Sequence, residues 1–77
     1  MEEHVKIFAE RLKTLRDERG MTLIQVAEKT GVGISTLSQY ENCEREVKIF
    51  NLLKLMKFFN VDADWLLGTS NIRKHMK

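Results

Sequence analysis

Three side chains with hydrogen-bonding groups lie close together in a central stretch that carries almost no charge: Ser35, Ser38 and Gln39. A glutamine amide both donates and accepts, so it can pair in a bidentate manner with an adenine edge, while a serine hydroxyl tolerates several partners. Ile34 precedes them, and it either contacts a thymine methyl group or is an ordinary surface aliphatic. These residue types favour the recognition of base edges.

Other chemistries lack the residues that they need. His4 and His75 lie near opposite ends of the sequence, and Cys43 is the single cysteine, so no pair has metal-ligand spacing. No nucleophile is flanked by a base, and there is no glycine-rich phosphate loop. We therefore expect a protein that is not an enzyme and that binds no metal or cofactor.

The length limits the architecture to one compact domain, with a core over about residues 5–68 and a polar, basic tail over 69–77. The chain has 77 residues, of which 43% are hydrophobic and 31% charged, as is typical of a folded domain. A lone cysteine forms no internal disulfide, and neither a signal peptide nor a membrane span is recognisable. We expect a soluble, cytoplasmic protein without a membrane partner.

The charge is unevenly distributed. The formal net charge is only +2, yet residues 47–77 carry six basic and two acidic groups. This surplus permits a nucleic-acid partner without demanding one, because lysines on solvated helix faces are the simpler explanation for most of it.

The apolar periodicity predicts an all-α fold of five helices. Proline is absent and only four glycines occur, so helix breakers are few. Apolar residues recur three and four positions apart through helix one, over about 5–19. Thr22 and Gln25 form a capping-box pattern that begins helix two, which runs to about Thr30. Helix three spans about 35–42.

The densest apolar stripe predicts a core helix after a loop at 43–47. Its members are Ile49, Leu52, Leu53, Leu55, Met56 and Phe59. Asp62 is an N-cap candidate for a brief helix five, which Gly68 ends. Beyond Gly68 no packing stripe is present, so we expect a frayed tail or a linker.

Helices two and three are separated by a very short turn at Gly31 and Val32, which is the layout of a helix-turn-helix. The sequence adds motifs that agree in order and spacing: GMT at 20–22, VAEKTGV at 26–32, STLSQYEN at 35–42, NVD at 60–62 and DWLLG at 64–68. Across about residues 7–68 the chain resembles the Cro and lambda-repressor type of helix-turn-helix regulators, also called the XRE family.

The resemblance implies how such a domain meets double-stranded DNA. Helix two would lie across the phosphate backbone, while helix three enters the major groove and reads bases with Ile34, Ser35, Ser38 and Gln39. The residues expected at the DNA backbone are Thr22, Asn42, Arg45 and Lys48. For Arg45 and Lys48 the alternative is a solvated loop without a DNA contact.

The family also pairs a basic residue of helix one with an acidic residue at the end of helix three. The corresponding residues here are Arg16 and Glu41. Such a pair is architectural, because it ties the two helices together beneath the reading surface.

The sequence departs from the family pattern where DNA contact matters. Leu23 replaces the usual glutamine after the helix-two cap, Gly33 replaces the usual Ser or Thr cap of helix three, and Cys43 replaces a glycine. Leu23, Ile24 and Ile34 together suggest an exposed apolar patch, which is a mark of protein contact.

A homodimer is expected because one short, nearly uncharged helix makes few contacts, and two copies on adjacent half-sites multiply specificity. Trp65, Leu66 and Leu67 are consecutive and cannot all face one side of a helix. We expect Trp65 or Leu66 at a two-fold interface that Ile72 extends. The alternative is that Trp65 closes the monomer core against helix four.

The sequence therefore predicts a sequence-specific transcriptional regulator, bacterial or phage-like and of repressor type, that binds DNA as a homodimer. A second hypothesis is a protein-interaction module of the same fold, which binds a partner such as an antirepressor or toxin. A third is the N-terminal DNA-binding domain of a longer repressor.

Overall fold

A computed structural model describes residues 2–75, which form five α-helices. Their bounds are α1 (Glu3–Glu18), α2 (Leu23–Thr30), α3 (Ile34–Glu41), α4 (Ile49–Phe59) and α5 (Ala63–Leu67). No strand occurs in this part of the chain, so the predicted all-α fold is confirmed. Within residues 2–75, no helix is both long enough and apolar enough to cross a membrane.

One cluster of buried side chains joins all five helices. α1 lines it with residues spaced three and four apart, Phe8, Leu12 and Leu15. α1 packs against α3 and α5, while α4 packs against α2 and α5. The core therefore lies between the long helix α1 and the apolar helix α4.

The predicted capping box of α2 is present. The Gln25 backbone amide donates to Thr22 Oγ1 over 3.2 Å, and the Thr22 amide donates to Gln25 Oε1 over 2.9 Å. Two backbone donors at the helix start are thereby satisfied. α2 ends at Gly31, and α3 begins two residues later without a side-chain cap, because Gly33 occupies its N-cap position.

The predicted apolar stripe of α4 is only partly buried. Leu52, Leu55 and Phe59 are buried, whereas Ile49 and Leu53 are exposed. Leu53 is turned about 100° from Leu52 and so points away from the core, and Ile49, the first residue of α4, lies on the exposed side of the helix. Apolar composition alone overstated the width of the buried face.

The prediction that Trp65 or Leu66 points outward is wrong, since the exposed fractions of the two side chains are only 8% and 0%. α5 lies against both α1 and α4, so adjacent positions on this short helix are covered from two sides. The guanidinium carbons of Arg11 and Arg73 also lie 4.9 and 5.0 Å from the centre of the Trp65 ring. Trp65 and Leu66 belong to the core of one chain and are not available to a partner.

The expected frayed tail is instead held against the domain by polar contacts through residue 75, although residues 71–75 are exposed. The Asp62 amide donates to the Lys74 carbonyl over 3.0 Å, and Arg73 forms an ion pair with Glu18 at 2.6 Å. This hydrogen-bonded pair holds the pKa of the Glu18 carboxyl below its ordinary value. Ile72 is exposed, and residues 76 and 77 of the predicted tail lie outside the described residues.

Gly68 ends α5 in a left-handed conformation with φ +88°, and its α-carbon lies close to α1. A Cβ at this position would be 2.8 Å from two carbons of Ile7. Gly68→Ala should therefore destabilise the protein by about 2–4 kcal/mol, combining backbone strain with overpacking.

Gly20→Ala is the matched control. Gly20 also has a positive φ, +61°, but no atom of the described residues would lie within 4 Å of its Cβ. Its expected cost is about 1 kcal/mol from the backbone alone. Urea denaturation of both variants measures the difference, and equal losses would show that the contact with Ile7 relaxes freely.

Candidate nucleic-acid interface

The outward face of α3 collects the side chains that the sequence suggested for base reading: Ile34, Ser35, Ser38 and Gln39. Their spacing places them on one side of the helix. Ile34 and Ser35 are exposed, and Ser38 and Gln39 are half-buried, so each reaches the surface. The structure therefore presents one apolar side chain and three hydrogen-bonding side chains together on the outward face of α3.

The inner face of α3 is held by Leu37 and Tyr40, both fully buried. The Tyr40 ring meets the ring of Phe8 edge to face, with their centres 5.5 Å apart. Its hydroxyl accepts a hydrogen bond from Asn51 Nδ2 over 2.9 Å. Sequence reasoning missed Asn51, although a lone amide within the apolar stripe of α4 is a signal for such a buried partner.

Arg16 and Glu41, the pair implied by the resemblance, are joined by two charge-assisted hydrogen bonds. Arg16 Nε lies 2.8 Å from Glu41 Oε2, and Nη2 lies 2.9 Å from Oε1, a bidentate arrangement. Arg16 Nη1 also donates to the Met21 carbonyl over 3.0 Å. Hydrogen bonding to Glu41 holds the pKa of Arg16 above its ordinary value. These contacts fix the end of α3 against α1 and the start of α2.

The loop after α3 folds back on the helix. The Glu44 amide donates to the Gln39 carbonyl over 2.8 Å, and the Cys43 amide donates to the Tyr40 carbonyl over 3.2 Å. Cys43 has φ +60°, a left-handed conformation that most side chains avoid. The tight turn keeps the following segment, in which Arg45 and Lys48 alternate with Glu44 and Glu46, close to the end of α3.

The residues predicted at the DNA backbone flank this helix pair. Asn42, Arg45 and Lys48 are exposed on the loop between α3 and α4, and Thr22 begins α2. Within residues 2–75, neither Arg45 nor Lys48 forms a salt bridge. Both cations are therefore free to neutralise an anionic partner.

The suggested apolar patch is smaller than expected. Leu23 is half-buried and packs against the core, while Ile24 and Ile34 remain exposed. Leu23, which replaces the glutamine usual in the family, therefore packs α2 against the core. Of the suggested patch, Ile24 and Ile34 remain at the surface.

Comparison with known proteins gives the family. A helix-turn-helix family model matches residues 12–66. The transcriptional regulator ImmR of Bacillus subtilis is 41% identical over 64 residues, which cover 83% of this chain and 50% of ImmR. The chain belongs to the XRE helix-turn-helix family of transcriptional regulators. The resemblance drawn from the motifs is thereby confirmed.

Other relatives support the same assignment. This chain is 29% identical over 65 residues to the transcriptional regulator YobD of B. subtilis, and the match covers 84% of this chain and 58% of YobD. Its fold matches the restriction-modification controller protein C.AhdI of Aeromonas hydrophila with a TM-score of 0.73 and 27% identity, covering 80% of this chain and 94% of that one. The chain spans about half the length of the two B. subtilis relatives.

Membership of the XRE family also gives meaning to the conformation of Cys43. The family usually has glycine here, and the φ of +60° in this chain is one that glycine adopts without a steric cost. The backbone conformation that suits glycine is therefore retained at position 43, although the residue there is cysteine.

Glu41→Ala should lower the free energy of unfolding by about 2–3 kcal/mol, because Arg16, only 17% exposed, loses its bidentate partner and keeps only the longer contact with Asp17 at 3.9 Å. Urea denaturation at neutral pH measures the loss. Glu18→Ala is the matched control, since it also removes an arginine partner but at the exposed pair with Arg73. A loss for Glu41→Ala no larger than for Glu18→Ala would contradict an architectural role.

Proposed function

We propose that the chain is a sequence-specific DNA-binding regulator in which α3 enters the major groove of double-stranded DNA. The observation that carries the proposal is the division of α3 into two faces. Leu37 and Tyr40 fix the inner face within the core, while Ser35, Ser38 and Gln39 face outward. A rigid helix with outward amide and hydroxyl groups fits the width and the donor and acceptor pattern of that groove.

The surrounding charges support the same orientation. Arg45 and Lys48 follow α3 on an exposed loop, where they can contact phosphates on either side of the groove. Thr22 and Asn42 supply further polar groups at the start of α2 and the end of α3. The proposal thus assigns contacts with the bases to α3 and contacts with the DNA backbone to the segments on either side of it in the sequence.

The proposal includes a homodimer, a repressor role in a bacterium or phage, a cytoplasmic location and no catalytic activity. α3 has eight residues and a length of about 12 Å, so one copy reads only a few base pairs. Two copies on a two-fold operator double that number. Because ImmR and YobD are about twice as long as the matched segment, the chain also fits the DNA-binding domain of a longer repressor.

A second candidate function rests on the exposed pair Ile24 and Ile34. Two exposed aliphatic side chains, one on α2 and one on α3, favour contact with a protein such as an antirepressor or toxin. Salt distinguishes the two functions, because DNA binding weakens steeply as salt is added whereas apolar contact barely responds.

Selection of bound sites from random duplex DNA, followed by measurement of the mass of the complex, tests the primary proposal. Recovery of a two-fold symmetric site with two copies bound is the expected result. Failure to enrich any sequence would contradict it and leave the protein-interaction function in its place.

Gln39→Ala should lower affinity for the selected site by about 1–3 kcal/mol and leave affinity for random DNA nearly unchanged, because the lost contact is to a base edge. Fluorescence anisotropy with both DNAs measures the two affinities. Equal losses on the two DNAs would remove Gln39 from the base-reading group.

Arg45→Ala and Lys48→Ala should each weaken binding to the selected site and to random DNA alike, and each should flatten the dependence of log K on log salt by roughly one unit. Titrations at several salt concentrations measure this slope. Lys74→Ala, which removes an exposed cation of the tail, should leave the slope unchanged. If Arg45→Ala and Lys48→Ala behave like that control, both residues belong to a solvated loop.

A further inference from the structure

The end of α2 and the middle and end of α4 form a pocket that is open to solvent and has a volume of about 330 Å³. Five side chains line it: Lys29, Thr30, Lys54, Lys57 and Phe58. The two lysines of α4 lie three positions apart, on one face of the helix, and Lys29 lies in the last turn of α2. Three lysine side chains therefore line one small concave surface, which we call the lysine pocket.

Lys54 reaches from α4 towards the end of α2. A Cβ on Gly31, the C-cap residue of α2, would lie 4.0 Å from Lys54 Nζ. The negative end of a helix attracts a cation, which explains the position of this one ammonium group. It does not explain why two further lysines line the same pocket, because like charges that are brought together repel one another.

The surrounding carboxylates do not neutralise the lysine pocket. No acidic side chain of the described residues lines it, and α4 contains no acidic residue. Within residues 2–75, none of the three lysines forms a salt bridge. Glu28 adjoins Lys29 in the sequence, and three positive charges against this one negative charge still leave a surplus of two. Glu18 and Glu41, at the ends of α1 and α3, are already paired with arginines.

Phe58 gives the lysine pocket an apolar wall. Its ring is half-buried, and the guanidinium carbon of Arg19 lies 4.9 Å from the centre of the ring. A fourth cation therefore lies beside the pocket, where the face of the ring attracts it. Cations next to an apolar wall are typical of a site that binds a charged group together with part of a carbon skeleton.

We infer that the lysine pocket binds a small molecule that carries two or more phosphate groups. Lysine ammonium groups bind phosphate as point charges, whereas bidentate recognition of a carboxylate is typical of arginine. Three lysines in one pocket match a ligand with several negative charges, and about 330 Å³ is within the size range of small-ligand sites. The inference goes beyond the proposed function, because DNA reading by α3 does not require it.

The lysine pocket lies away from the residues proposed for the DNA backbone. Thr22 precedes α2, whereas Lys29 lies seven residues further on, about 10 Å along the helix axis. Lys48 precedes α4, whereas Lys57 lies nine residues further on, about 13 Å along that axis. The positions along both helices therefore favour a free ligand over a phosphate of the DNA that α3 would read.

Titration with inorganic pyrophosphate tests the inference. Isothermal calorimetry at constant ionic strength should show saturable binding of one pyrophosphate per chain. Lys54→Gln should weaken this binding by about tenfold or more, because it removes one charge-assisted contact. Lys6→Gln is the matched control, since it removes an exposed lysine from the first turn of α1. It should bind pyrophosphate as the unaltered chain does.

Thermal unfolding gives a second measurement. A ligand that binds only the folded chain raises its Tm, so pyrophosphate should raise the Tm of the unaltered chain and of Lys6→Gln. The double variant Lys29→Gln, Lys57→Gln should show no such rise. Without pyrophosphate, the double variant should unfold at a Tm no lower than that of the unaltered chain, because it loses repulsion between like charges. A missing rise would then report lost binding and not lost folding.

Three results would overturn the inference. Equal weakening by Lys54→Gln and Lys6→Gln would show a general attraction of anions to the chain. Tighter binding of hexaglutamate than of pyrophosphate would favour an acidic peptide as the ligand. If Lys54→Gln flattens the salt dependence of DNA binding by about one unit, the lysine contacts the DNA backbone. Each of these results leaves the proposed reading of bases by α3 intact, and failure to select a DNA sequence would leave pyrophosphate binding unaffected.

Discussion

The position of α3 depends above all on the burial of Tyr40. An isolated helix of eight residues is marginal in water, and α3 also lacks a side-chain cap at its start. Tyr40 connects it to α1 through the edge-to-face contact with Phe8 and to α4 through the hydrogen bond from Asn51. One buried side chain thus joins three helices, and any movement of α3 would expose its ring and strand its hydroxyl.

Apolar burial and the Arg16–Glu41 pair contribute differently to this arrangement. Complete burial of a large side chain such as Tyr40 stabilises the fold by roughly 1.5–3 kcal/mol. A buried ion pair adds little net stability, because the desolvation of both charges offsets most of their attraction. Its bidentate geometry is directional, however, so it selects one orientation for the end of α3. Stability therefore comes mainly from the core, and the pair fixes the orientation of α3.

The parts of the structure that could be predicted from sequence are those that neighbouring residues determine. The capping box at Thr22 and Gln25 is local, and the outward set on α3 follows from helical spacing alone. Predictions for Trp65 and for Leu53 failed because burial depends on which helices cover a surface, and periodicity does not report that. α5 is covered from two sides and buries adjacent residues, whereas the first turn of α4 is covered on one side only, which buries Leu52 and leaves Phe50 exposed.

The distribution of charge explains why such a domain would need a partner copy. α3 carries a single charged residue, Glu41, and that charge is neutralised by Arg16, so the proposed reading face itself would attract DNA weakly. Each phosphate contact contributes about 0.9 to the salt slope, and the loop that follows α3 carries two exposed cations, Arg45 and Lys48, beside the exposed carboxylates of Glu44 and Glu46. On the proposed function, a single domain would therefore be selective at the bases yet weakly bound to the DNA backbone. The proposed homodimer would add a second pair of cations without placing charge on the reading face. Its affinity for DNA would therefore increase while its selectivity among bases is preserved.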